Sequence, residues 1–221
     1  MVIGLVAAWL VTPTASQLQG RVAADAAAGH VVLLERGQVP ALLADALVAT
    51  EDERFFQHHG IDVIGLGRAV SYDAWNRCLC QGGSTLTEQL VKLVYLGDDR
   101  GWNKVGDTFL ALKLESGLDK HRILADYLSV VPTGAGLTGA PAAACTYFGK
   151  PLARLDLAQF ALIAGMPQAP YGYDPRFHPD RAAARRTYVL AAMVGEGFIT
   201  RDEAAAADAQ PLLPDPLPAG C

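Results

Sequence analysis

Apolar side chains return at helical spacing in block after block from Leu42 onward, and capping signals punctuate the blocks; this pattern constrains the fold more than any other feature of the chain. Leu42, Leu43, Ala46 and Ala49 follow Pro40 and run out at Glu51. Leu86, Leu90, Leu93, Val94 and Gly97 form the next stripe, opened by Ser84 and Thr85, with Thr85 and Glu88 spaced as a capping box. Phe109, Leu110, Leu112 and Leu114 come next, then Ile123, Leu124, Tyr127 and Leu128 behind Asp119. A short helix runs into Tyr147 and Phe148, and Asp156 to Gln159 forms a second capping box. Arg185 to Val194 continues the pattern, and Thr200 with Glu203 caps a last helix. Glycines at 134, 136 and 139 mark a sharply bent loop between Pro132 and Pro141. Val31 to Glu35 is the one strand-like run, expected as a short edge element, so an alternating strand and helix architecture is disfavoured.

With 221 residues and 51% hydrophobic content, the chain has the mass and apolar surface for a single buried core. A net charge of −5, without a basic stripe, argues against nucleic acid as a partner. Residues Val2 to Val11 are uncharged but too few to span a bilayer, which takes about 20 residues. That run reads either as the cut-down end of a transmembrane helix or as a buried or interfacial segment. Cys78 and Cys80 are separated by one residue, unlike a zinc knuckle; pairing of Cys145 is not decided by spacing.

Glu51 and Asp52 close an apolar helix one and two turns before Phe55 and His58. A carboxylate desolvated beside aromatic rings gains proton affinity and moves toward general-base chemistry, whereas the plain alternative is a solvated acidic cap. His58 reads as a structural hydrogen-bonding group rather than a metal ligand. Ser84, Glu88 and Lys92 share a helical face, with Thr85 and Gln89 alongside. Lys92 and Arg100 suit phosphate oxygens; the plain alternative is a surface ion pair between Glu88 and Lys92. Asp107 and Glu115 are candidates for a second carboxylate of the kind glycosyl transfer uses.

Together these residues resemble the peptidoglycan glycosyltransferase family, the transglycosylase domain of class A penicillin-binding proteins and of monofunctional transglycosylases. The motif E-D-x-x-F-x-x-H-x-G is complete at Glu51 to Gly60, and G-G-S-T-x-x-Q-Q-L-x-K is present at Gly82 to Lys92 with Glu88 for the first glutamine. Lys120-x-x-Ile123-Leu124-x-x-Tyr127-Leu128, Tyr147 to Lys150, Ala164 to Pro170, and Arg186 to Met193 follow in order and spacing. The resemblance runs from about Val39 to Ala205. It implies a mainly α, lysozyme-like fold with a small membrane-facing jaw. The glycosyltransferase domain is expected over residues 30–205, between an apolar segment at 1–12 and a Pro/Ala-rich tail at 206–221.

The resemblance further implies that Glu51 is the general base and Asp107 the second catalytic carboxylate. Asp52, His58, Ser84, Thr85, Gln89, Lys92, Arg100, Lys104 and Glu115 match substrate-binding positions. The implied reaction polymerises lipid II onto a growing glycan chain with release of undecaprenyl pyrophosphate, assisted by Mg²⁺ or Mn²⁺. The implied location is the outer face of the cytoplasmic membrane, periplasm-facing, with a transmembrane anchor and a place in a cell-wall synthesis complex. No penicillin-binding transpeptidase motifs occur, so the chain is expected to be monofunctional. The third family motif, R-K-x-x-E, is here Asn103 to Asp107 with a shortened carboxylate and Gly106 at a commonly basic position. That departure supports an alternative: a catalytically weak or inactive homologue that binds lipid pyrophosphate. A glycan-cleaving hydrolase is the third reading.

Overall fold

The computed structural model describes residues 12–28, 31–76, 83–96, 104–134 and 136–219. Two helices dictate the arrangement because they are apolar nearly all round, the signature of a helix that must be buried. Helix α2 (Ala41–Glu51) follows α1 (Ala15–Ala27) and buries Leu43, Ala46, Leu47, Val48 and Ala49. Helix α8 (Leu157–Gly165) is buried continuously from Phe160 to Gly165. These two pack on each other and on α9 (Pro179–Gly195), forming the centre of the molecule.

Between them in sequence lie α3 (Val63–Asn76), α4 (Leu86–Val91), a π-helical turn (Lys92–Leu96), α5 (Lys104–Glu115), α6 (Lys120–Val130) and α7 (Ala140–Phe148). The short α4 is clasped between α5 and α6, and buries Leu86 and Leu90 in the same core cluster as Ile123, Tyr127 and Leu128. A 3₁₀ turn (Leu152–Arg154) precedes α8, and α10 (Arg201–Asp208) follows α9. The fold is thus mainly α, as the helical spacing dictates.

The expected loop between Pro132 and Pro141 contains a small antiparallel hairpin, β1 (Pro132–Gly134) with β2 (Leu137–Thr138). Its glycine at 139 has φ +86°, and a Cβ there would sit 2.5 Å from the Ser129 carbonyl oxygen. Residues Val31 to Glu35 do not form the expected strand. No strand lies beside them among the described residues, and the Leu34 N–H instead donates to Ser129 Oγ at 2.9 Å.

The expectation of a transmembrane helix is overturned: among the described residues, no helix is long and apolar enough to cross a membrane. Helix α1, the first described, has 13 residues and carries Arg21 and Asp25; at about 1.5 Å per residue it falls well short of a hydrocarbon core of about 30 Å. The apolar run from Val2 to Val11 lies outside the described residues. Helix α3 presents Val63, Ile64 and Trp75 to solvent, an apolar surface that the interior does not use.

Candidate active site

Helix α2 delivers Glu51 as its last residue, and the chain turns at Asp52. Here a carboxylate meets the partial negative charge of a helix C-terminus, which disfavours ionisation. Burial is the larger cause and pushes the Glu51 carboxyl up from its ordinary value; Arg185 and a hydrogen bond from Gln89 oppose it. Arg185 Nη2 donates to Glu51 Oε1 at 2.9 Å, and Gln89 Nε2 donates to Oε2 at 3.3 Å. This ion pair does not seal the carboxylate. Glu51 lines an open cleft of ≈ 350 Å³ shared with Asp52, Ser84, Thr85, Gln89 and Arg185.

Asp52 organises the floor beneath Glu51. Its carboxylate accepts from the Leu86 N–H at 2.9 Å, so it caps α4, and both its oxygens lie 3.0 Å from His58 Nε2. Lys120 Nζ approaches His58 Nδ1 at 3.3 Å and donates to Glu115 Oε1 at 2.7 Å, where Thr87 Oγ1 also donates at 2.5 Å. Asp52 lies on one ring nitrogen of His58, and Lys120 with Glu115 on the other, so the ring is held in place from both sides. Burial lowers the Lys120 pKa, with Glu115 and Asp52 opposing it, and its ammonium lies 4.4 Å from the centre of the Phe55 ring. Asp52, His58 and Glu115 therefore form one buried network under the cleft, joining α2, α4, α5 and α6.

Thr85 and Glu88 form the expected capping box. Thr85 Oγ1 also donates to the Gly60 carbonyl at 2.8 Å. The surface pair between Glu88 and Lys92 does not occur. Glu88 is buried, with Oε2 accepting from the Thr85 N–H at 3.0 Å and Oε1 from Thr108 Oγ1 at 2.7 Å. Lys92 Nζ reaches Ser84 Oγ at 3.4 Å and stands 3.8 Å from Asp107 Oδ2, its side chain 42% exposed. Asp107 is buried, and its Oδ1 has no hydrogen-bond partner among the described residues. Arg100 and the side chain of Lys104 lie outside the described residues, as do Cys78, Cys80 and Cys221. Cys145 is disulfide-bonded.

The structure thus brings Glu51, Asp52, Ser84, Thr85 and Gln89 to one cleft, with Lys92 at Ser84 and Asp107 behind Lys92. Two residues were not read as site residues from sequence. Arg185 packs its stem against Gly165, where a Cβ would stand 2.8 Å from Arg185 Cγ, and its Nε donates to the Gly165 carbonyl at 3.0 Å. The available signal was a basic residue on the inward face of α9 opposite a glycine of α8. Tyr127, fully buried on α6, donates to Gln89 Oε1 at 2.8 Å; its helical spacing had marked it only as core.

A family model described as Transglycosylase matches residues 19–194. Penicillin-binding protein 1A of Escherichia coli (strain K12) is 41% identical over 167 residues, covering 75% of this chain and 20% of that protein. Penicillin-binding protein 1A of Aquifex aeolicus (strain VF5) is 42% identical over 178 residues, covering 79% of this chain and 24% of that protein. A crystal structure of penicillin-binding protein 1A from Haemophilus influenzae aligns with a TM-score of 0.48 at 25% identity, over 83% of this chain and 18% of that one. The chain spans 20% and 24% of the length of these two curated relatives.

Proposed function

The chain belongs to the transglycosylase family, and from that premise we propose that it is a peptidoglycan glycosyltransferase that polymerises lipid II into glycan strands. The observation that carries the proposal is the placement of Glu51: a carboxylate of raised proton affinity on the wall of an open cleft, flanked by Ser84, Gln89 and Arg185. In this reading Glu51 accepts the proton of the acceptor sugar's 4-hydroxyl. The freed oxygen bonds to the anomeric carbon of the growing chain with inversion, and the bond from that carbon to the pyrophosphate oxygen breaks. Undecaprenyl pyrophosphate leaves with the electron pair, and in this reading Lys92, whose Nζ lies 3.4 Å from Ser84 Oγ, compensates its charge.

A divalent cation, Mg²⁺ or Mn²⁺, would supply further charge compensation when bound. Mg²⁺ commonly uses one or two carboxylates together with substrate phosphates, and Asp107, whose Oδ1 has no hydrogen-bond partner among the described residues, is a carboxylate that would hold it. The exposed apolar side chains of α3 suit contact with the bilayer that holds the lipid donor, and the disulfide at Cys145 suits the oxidising outer face of the cytoplasmic membrane.

The test is polymer formation from lipid II, with and without Mg²⁺, by the parent and by Glu51→Gln. The parent is expected to form polymer and the variant to lose it by about a hundredfold or more, the contribution of a positioned base. Absence of polymer from the parent with every divalent ion tried would overturn the proposal. Lipid II binding that persists in both proteins without turnover would favour the second reading, a binding homologue, which the buried, shortened Asp107 motivates.

A further inference from the structure

Gln89 stands between a buried phenol and the carboxylate of Glu51, and we propose that Tyr127 is a positioning residue that acts through Gln89 to hold a donor on Glu51. The inference rests on the reading of Glu51 as general base. A glutamine amide has a donating end and an accepting end, so which end meets a carboxylate decides between attraction and repulsion. Here Nε2 faces Glu51 Oε2 at 3.3 Å, which leaves Oε1 pointing inward. That oxygen receives the Tyr127 hydroxyl at 2.8 Å. Tyr127 is 0% exposed and sits on α6, so water cannot take over the donation without opening the packing of α4 on α6.

The hydroxyl suits a group that gains and loses a proton. With Glu51 ionised, Tyr127 donates to Oε1 and Gln89 donates to Glu51. With Glu51 protonated, the carboxyl can donate to a turned amide, whose nitrogen then donates to the same phenol oxygen. A phenyl ring can serve neither state. Gln89 belongs to the motif around the cleft, but the residue that orients it comes from a different helix, 38 positions away.

Several charged or titratable groups face Glu51. Arg185 and Tyr188 come from α9, Asp52 and Glu53 from the turn after α2, Asp62 and Arg68 from around α3, and Tyr127 from α6. Of these only Tyr127 reaches Gln89 with a hydrogen bond, so its removal is read through that amide. Loss of the donated hydrogen bond removes one of the influences that lower the Glu51 proton affinity.

The experiment follows the Glu51 carboxyl carbon by NMR across a pH titration in the full chain, for the parent, Tyr127→Phe, Gln89→Leu and the double variant. Steady-state polymerisation of lipid II is measured beside it. Tyr127→Phe is expected to move the Glu51 midpoint upward and to lower kcat about three- to tenfold at unchanged KM, one hydrogen bond's worth. In the Gln89→Leu background the same change is expected to leave the midpoint where Gln89→Leu put it. An unmoved midpoint in Tyr127→Phe overturns the inference, and so does an equal shift with Gln89 absent. Should Tyr127→Phe fail to fold, 3-fluorotyrosine at position 127 strengthens the donor and is expected to move the midpoint down; no movement overturns the inference. The expected midpoint shifts in the variants, beside a parent that makes no polymer, uphold the positioning role and sink the polymerase reading.

Discussion

In the proposed role of general base, Glu51 carries opposing requirements in one side chain. A general base must be desolvated enough to want a proton, yet a buried carboxylate costs stability when ionised. Burial holds its carboxyl above the ordinary range even against Arg185. The native state therefore keeps this proton at pH values where the unfolded chain has released it. Glu51 contributes stability below the ordinary carboxylate range, and that contribution is lost as pH rises through the raised native value. Glu51→Gln is neutral throughout, so it is expected to match the parent's thermal midpoint at about pH 4 and to equal or exceed it at about pH 8. Calorimetry of both proteins checks this, and a deficit that grows with pH would contradict it. Other single residues account for departures from the family motifs. Glu88, where the motif has glutamine, has two acceptor oxygens, one for the Thr85 N–H and one for Thr108 Oγ1. Ser129, next after the Tyr127-Leu128 pair, donates to the Ala125 carbonyl at 2.7 Å and accepts from the Leu34 N–H.

The start of α4 is the element on which the site turns. Asp52 caps it from α2, Thr85 and Glu88 cap it locally, and Thr85 ties it to Gly60. Gly60 has φ +95°, and a Cβ there would lie 2.8 Å from the Leu112 amide nitrogen in α5. Gly60→Ala is expected to cost about 2–4 kcal/mol, combining backbone strain with a clash against backbone that cannot rotate away. Urea unfolding measures it, and a loss below about 1 kcal/mol would show that α5 yields freely. Capping boxes at Thr85, Asp156 and Thr200 were legible because each is a local hydrogen-bond pattern written within four residues. Helices α1 and α3 were not read from sequence. The apolar residues of α3 point partly to solvent, so its pattern carries no inward stripe. The misread strand at Val31 to Glu35 has the right residues but no strand beside it among the described residues, and pairing is not a local property.

At the scale of the molecule, α2, α8 and α9 form the frame against which the cleft opens, and the C-terminal segment is fastened to it. Arg186, 5% exposed, donates to the carbonyls of Asp208, Gln210 and Pro211 at 2.7, 3.0 and 3.4 Å, and Leu212 and Leu213 pack on the core. The sequence marks 206–221 only as a Pro/Ala-rich tail, whereas the structure holds its described part to the body through one guanidinium and two leucines. Arg186→Ala is expected to cost about 2–4 kcal/mol and to expose residues 209–219 to limited proteolysis. A protease pattern identical to the parent's would show that the apolar contacts alone retain the tail.

Local chemistry was within reach of the sequence: helix starts, the apolar stripes, and the ordered motifs that place Glu51, Ser84, Thr85, Gln89 and Lys92 in one family of sites. The helix starts and stripes follow from spacing, because a helix maps sequence intervals of three and four onto one face, whereas the grouping of those site residues follows from the family resemblance. Tertiary structure alone decided which groups surround Glu51. Arg185 is 134 positions from it, and Tyr127 reaches Gln89 across 38. Hydrogen bonds and burial act over ångströms, and nothing in the interval along a chain records which distant helices will be packed to within that reach.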